Sequence, residues 1–181
     1  MYNLIQNMIR TLRGEVSTKK LKKMGLTVGS NFSRQGKCII DPSHCWLIDI
    51  GNDVTLATGV YILAHDASTT KVIDYTKIGR VTIGNNVFVG AYSIILPNVT
   101  IGDNCVIGAG SVVSKDVPSG SVVAGNPAKI ICTIEDYKKK NVEKMKNSTK
   151  YDESFTLRGK ITTEKKQLQK KEIKGKIAFT K

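Results

Sequence analysis

Apolar residues recur at every sixth position through the middle of the chain. From Ile83 the sequence reads IGNNVF, VGAYSI, ILPNVT, IGDNCV, IGAGSV and VSKDVP, which puts Ile83, Val89, Ile95, Ile101, Ile107 and Val113 in phase. Four residues after each stands a small or β-branched residue: Val87, Ser93, Val99, Cys105, Ser111 and Val117. The theme appears earlier as IGNDVT and LATGVY, from Ile50 and Leu56, and more weakly as VGSNFS from Val28. Such a period matches neither a helix nor simple strand alternation. It matches a short strand and a turn, repeated so that the chain closes a triangular coil of eighteen residues. The aliphatics then point inward and stack about 4.8 Å apart on their equivalents one coil on. Gly, Asn and Asp fall at the corners, where positive φ is tolerated. From Val28 to Pro118 the pattern predicts about five coils, a prism about 24 Å tall.

The hexads stop between Ile62 and Val81. The insert, residues 63–82, is polar and returns the chain in a new phase, and a long loop in a regular solenoid usually carries function. Upstream, Tyr2 to Lys23 has Leu4, Ile5, Met8, Ile9 and Leu12 at helical spacing, predicting an amphipathic helix over an open end of the solenoid. Downstream, Glu135–Lys146 predicts a second helix, and the polar remainder is expected to pack over its own or a neighbouring subunit. The organisation expected is a helical cap at 1–25, the repeat domain at 26–131 and a basic helix and tail at 132–181.

A chain of 181 residues can bury a substantial core. No stretch reads as a secretory signal or membrane span, so a cytoplasmic protein is expected. The four cysteines, Cys38, Cys45, Cys105 and Cys132, have no CxxC spacing and are expected to be free thiols. The net charge of +13 sits at the ends: +5 in residues 1–25, +8 in 135–181, and seven charges of each sign between. No aromatic-studded platform or helix-turn-helix pattern accompanies it, which argues against a nucleic-acid partner. Solvated helical ends are the simplest reading, with a basic membrane-surface helix as the alternative for the N-terminus.

The segment VTIGNNVFVGAYSIILPNVTIGDNCVIGAGSVVSKDVPSGSVVAGNPAKII (81–131), with LAHDAS (63–68) upstream, resembles the hexapeptide-repeat acyltransferases. It is most similar to the maltose, galactoside and capsular-polysaccharide O-acetyltransferase group. The resemblance covers roughly Val28 to Ile131. It implies a mostly β fold, a left-handed parallel β-helix with helical extensions, assembled as a homotrimer with active sites between neighbours. It implies acetyl-CoA as cosubstrate and a sugar or glycan acceptor, with peripheral contact to membrane-bound glycan machinery.

The resemblance makes His65 the catalytic base, and the chemistry explains why an imidazole belongs there. Acetyl transfer to a hydroxyl requires taking a proton from a weakly acidic group, and an imidazole titrating near neutrality can take it and pass it on. Direct attack needs no covalent enzyme intermediate, which leaves the cysteines as packing residues. Asp66 is a candidate to support the imidazole, and Gln35 falls near an amide that helps hold the oxyanion in the galactoside enzymes. Ala91 matches a residue whose main chain meets the thiol end, and Ala109 a pantetheine contact. Ser114 and Lys115 match a hydroxyl and cation near the nucleotide end, and Lys129 a phosphate-binding arginine. Cys132 stands where those enzymes have a second arginine. Asp41, His44 and Trp46 are candidates to line the acceptor groove. N-acetylation of an amino sugar is the alternative activity, and a non-catalytic solenoid the alternative class. A zinc enzyme on this fold needs three histidine ligands, and the chain has two histidines, so no metal is expected.

Overall fold

Each hexad folds as a strand of two or three residues closed by a turn. In this computed structural model, which describes residues 15–181, helix α1 (Thr18–Lys23) leads into β1 (Thr27–Val28), β2 (Ser33–Arg34) and β3 (Ile39–Ile40), one strand per face of the first coil. A 3₁₀ turn at Cys45–Leu47 precedes the second coil, β4 (Ile48–Ile50), β5 (Thr55–Leu56) and β6 (Tyr61–Ile62). Then β7 (His65–Asp66) and β8 (Lys77–Ile78) flank a 3₁₀ turn and the short helix α2 (Thr70–Ile73). The coil resumes at β9 (Val81–Ile83), β10 (Phe88–Val89) and β11 (Ile94–Ile95), followed by β12 (Thr100–Ile101), β13 (Val106–Ile107) and β14 (Val112–Val113). It ends on β15 (Ser121–Ala124) and β16 (Lys129–Thr133).

The three faces are sheets ordered β1-β4-β9-β12, β2-β5-β10-β13-β15-β16 and β3-β6-β11-β14. Every pairing between coils is parallel; β16 turns back antiparallel on β15. This is a left-handed parallel β-helix. Its register puts equivalent residues on top of one another, as in Ile50 beside Ile83 and Ile83 beside Ile101. The in-phase aliphatics Ile83, Val89, Ile95, Ile101, Ile107 and Val113 are all buried. Full burial of an aliphatic side chain of this size contributes about 1.5–3 kcal/mol. Leu21 of α1 is fully buried and joins the same core. The helix expected from Leu4 to Leu12 lies outside the described residues.

Small inward positions let the chain turn without voids. Ser93 and Ser111 are fully buried, and both hydroxyls donate to the Gly108 carbonyl, at 2.9 and 2.6 Å. Cys38 and Cys105 are buried and donate to the Ala57 and Pro118 carbonyls. Burial pushes both thiols up, which removes them from nucleophilic chemistry near neutrality.

One corner carries a polar ladder. Asn31, Asp53, Asn86 and Asn104 all adopt positive φ there, coil after coil. Their side chains pair across coils, Asn31 Nδ2 to Asp53 Oδ1 at 2.9 Å and Asn86 Nδ2 to Asn104 Oδ1 at 2.8 Å. Beside it the chain needs glycine for close approach: a Cβ on Gly51 would lie 2.7 Å from the Gly84 carbonyl oxygen.

A second compact unit runs from Glu135 to Lys181. It contains α3 (Ile134–Lys146, less its first residue), a parallel pair of β17 (Lys150–Tyr151) with β18 (Phe179–Thr180), and α4 (Thr163–Glu172). Tyr151 is buried against Phe155, and its hydroxyl donates to Glu172 at 2.7 Å. Among the described residues, no helix is long and apolar enough to cross a membrane.

Candidate active site

Two breaks in the repeat occur at the same corner of the prism, one coil apart. The first is Asp41–Leu47, between β3 and β4; the second is Leu63–Arg80, between β6 and β9. Because Ile40 pairs with Ile62, the chain leaves the coil at equivalent points on neighbouring levels. The Asp41 amide donates to the Ile62 carbonyl at 2.9 Å, fixing Asp41 under the start of the second break.

That register brings the Asp41 carboxylate against His65. Asp41 Oδ2 meets His65 Nδ1, and the same oxygen accepts the Ala64 amide at 3.0 Å. Asp41 Oδ1 accepts the Ser43 amide at 2.9 Å. The Asp41 side chain has no exposed surface, whereas that of His65 keeps 32%. Burial pushes the Asp41 pKa up, but the His65 ring and the two amides outweigh it and hold the carboxyl below its ordinary 3.8. Its pairing therefore stabilises the fold fully above the ordinary carboxylate range and is lost as pH falls through the lowered value.

Two further rings extend from this pair. His44 lies 5.2 Å from the His65 ring and 5.2 Å from Trp46, centroid to centroid. The indole is more than half exposed, so the three rings run from solvent to the imidazole. His44 Nδ1 is buried with no hydrogen-bond partner among the described residues.

His65 opens onto a groove of about 610 Å³ lined by Leu63, Asp66, Ala67, Lys77, Leu96, Pro97 and Ser114. Asp66 does not face the imidazole, which corrects its expected support of His65. Its Oδ1 caps the following turn through the Ser68 amide and hydroxyl, and its Oδ2 pairs with Lys77 at 3.0 Å. Those bonds hold its pKa down to about 2. The reason is strand geometry: neighbours on β7 point to opposite sides, so Asp66 straps β7 to β8 while His65 turns to the coil. Asp41, expected in the acceptor groove, is the carboxylate on the ring instead. Gln35 is exposed beyond β2, its backbone N–H donates to the Leu56 carbonyl, and no hydrogen bond joins it to His65 among the described residues.

Ser114 and His65 share the groove. Ala91 and Ala109 stack one coil apart at another corner, where the Ala91 carbonyl accepts the Gly110 amide at 2.8 Å. Lys115 and Lys129 are exposed and outside the groove lining.

Residues 80–115 match the model of the bacterial transferase hexapeptide (six repeats) family. Protein CapG of Staphylococcus aureus is 43% identical over 141 residues, spanning 75% of this chain and 81% of that protein. The chain belongs to the hexapeptide-repeat acyltransferases. Among solved structures, a maltose O-acetyltransferase from Clostridium difficile 630 has a TM-score of 0.54 and 41% identity, covering 60% of this chain and 59% of that one. A galactoside acetyltransferase in complex with coenzyme A has a TM-score of 0.52 and 32% identity, covering 66% and 70%.

In this hexapeptide acyltransferase Asp41, His44, Trp46 and His65 come from the two breaks, while Leu96, Pro97 and Ser114 come from the unbroken coils. Lys77 is a groove residue that sequence reasoning missed, since only the β7–β8 pairing carries it to Asp66 and His65. Asp41, His44 and His65 each hold a metal-ligating atom within 4.8 Å of the others. A count of histidines alone overlooks that set. Within that set, Asp41 Oδ2 and His65 Nδ1 are paired with each other.

Proposed function

We propose that this acyltransferase moves an acetyl group from acetyl-CoA to a sugar hydroxyl in surface-polysaccharide synthesis, with His65 as general base. The observation that carries the reading is the imidazole at the groove, its Nδ1 against a buried carboxylate. An ionised Asp41 accepts a hydrogen bond from a proton carried on Nδ1 and so leaves Nε2 as the basic nitrogen. The acceptor hydroxyl gives its proton to Nε2 as its oxygen attacks the thioester carbonyl. The C–S bond breaks as the C–O bond forms, and the proton passes from Nε2 to the departing sulfur. Asp41 is a positioning residue: it fixes the ring and favours the imidazolium that forms in transit.

The groove fits a thioester donor. Its volume lies within the usual range for a small-molecule site, and Leu63, Leu96 and Pro97 offer apolar contact to an acyl-bearing arm. Ser114 supplies a hydroxyl there, and the small side chains of Ala91 and Ala109 leave their backbone approachable. Lys115 and Lys129, outside the lining, are assigned to the phosphates as point charges. His44 and Trp46 are assigned to the acceptor, since an exposed indole presents an apolar face to a pyranose. The maltose and galactoside enzymes support the sugar assignment, and the coenzyme A complex of the latter supports the donor. A homotrimer, with each groove completed by a neighbour, is part of the proposal.

Acetyl-CoA consumption measured against a panel of sugars, nucleotide-sugars and amines tests the reading. Sugar-dependent release of free thiol is expected, and a preference for amines would replace it with N-acetylation. Asp41→Asn tests the positioning role. An amide presents one acceptor where the carboxylate presents two, so either Ser43 or the Ala64–His65 pair loses its acceptor. Turnover is expected to fall about 10–10²-fold. The acid limb of the pH–rate profile should move to lower pH, because removing the negative charge disfavours the imidazolium. An unchanged profile would reduce Asp41 to a structural role.

A further inference from the structure

We propose that the second unit, Glu135–Lys181, docks on an anionic phospholipid bilayer. The inference stands apart from the acetyl-transfer reading and rests on charge and exposed apolar side chains in this unit alone. Residues 135–181 hold fifteen basic side chains against seven acidic, while 26–134 hold seven of each. Neither α3 nor α4 contains a buried residue, and Tyr151 is the unit's one buried hydrophobic among the described residues. Apolar side chains stand in solvent beside lysines instead. Leu157 is 86% exposed next to Arg158 and Lys160, and Ile177 is 65% exposed after Lys174 and Lys176. Ile177 also closes a groove of about 740 Å³ whose other wall is α3, with Lys139, Lys140 and Lys144 against Asp136 and Glu143.

The charge pattern selects among occupants. Lys140 and Lys144 are like charges four apart, as are Lys166 and Lys170; Asp136 and Glu143 offset part of the first pair, and an anion outside the chain offsets the remainder. A second copy of the chain offers a neutral coil and an equally basic tail, so it cannot supply that anion. A nucleic acid could, but its readers favour arginine forks and exposed aromatic rings. Here Arg158 is the single arginine among the fifteen, the Phe155 ring is covered by Tyr151 and Lys165, and Tyr137 is the unit's one exposed ring among the described residues. Lysines whose stems flank aliphatics match the boundary between headgroups and acyl chains, where the stem lies in the apolar layer and the ammonium reaches phosphate.

Flotation of the full chain with vesicles tests this. Binding to phosphatidylcholine mixed with phosphatidylglycerol is expected, with none to phosphatidylcholine alone and release at high salt. Changing Lys139, Lys140 and Lys144 together to Gln should weaken binding about 10²-fold, from about fivefold per lysine at the surface. Leu157→Ser with Ile177→Ser should weaken it about tenfold at fixed salt, a loss that charge attraction alone does not produce. Far-UV circular dichroism confirms that each variant is folded, and the wild-type lipid and salt comparisons stand even if one is not. Equal binding to both vesicle types, or none, overturns the proposal. So does tighter binding to a DNA duplex than to anionic vesicles with the Leu157/Ile177 double variant unaffected.

Discussion

His65→Ala is expected to lower acetyl turnover by roughly 10²–10⁴-fold, the range a positioned acid–base group supplies. The donor's affinity should hardly change, because Leu63, Leu96, Pro97 and Ser114 remain in the groove. The fold should survive as well. Asp41 keeps its Ala64 and Ser43 amides when the ring is removed, so no bare carboxylate is left in the core. Steady-state kinetics with a saturating donor, together with calorimetric titration of coenzyme A, separates the two effects. A folded variant with near-normal turnover would refute the base assignment; normal turnover with lost donor affinity would make His65 a binding residue.

Gly51→Ala is expected to destabilise the coil far more than its one added methyl suggests. The new Cβ would stand 2.7 Å from the Gly84 carbonyl oxygen and 2.8 Å from its carbon, both backbone atoms. Neither can move aside, since the Gly51 amide is already bonded to the Ile83 carbonyl at 2.8 Å. The levels would have to separate, at a cost of about 3 kcal/mol, or roughly 6–12 °C in melting temperature for a chain of this size. Gly110→Ala is the control. Its Cβ would meet nothing within 4 Å, but its φ is +69°, so it carries backbone strain alone, about 1–2 kcal/mol. Equal melting points for the two variants would show that close approach between coils does not limit stability.

The period of six was legible because every level repeats the same local problem: an aliphatic to bury, then a corner to turn. Ile83, Val89 and Ile95 could therefore be assigned inward from spacing alone, and they are buried. The partner of His65 was not legible in this way. Asp41 and His65 are 24 positions apart, and they meet because Ile40 pairs with Ile62, so that two breaks of different length leave the coil on neighbouring levels. Spacing offered one usable sign: Ile40 to Ile50 is ten residues where the repeat expects six, marking a break at the same corner as the longer one. Asp66 was a candidate helper although neighbours in sequence seldom face each other, and its carboxylate is in fact taken by Ser68 and Lys77.

A stack of identical levels has no intrinsic reason to stop, and its last level is a template for further chain, including chain from other molecules. Here the return strand β16 removes that template. It lies antiparallel on β15, with an irregularity between Val122 and Val123, so the outermost strand no longer repeats the parallel register. The turn before it occupies the neighbouring face: the Val112 amide donates to the Gly125 carbonyl, and the Val112 carbonyl accepts the Ala128 amide. Lys129 adds charge at that margin, a side chain that disfavours edge-to-edge pairing. The end of the prism is thereby a terminus rather than a growing point, which keeps a fold made of fibre-like repeats from polymerising along its own axis.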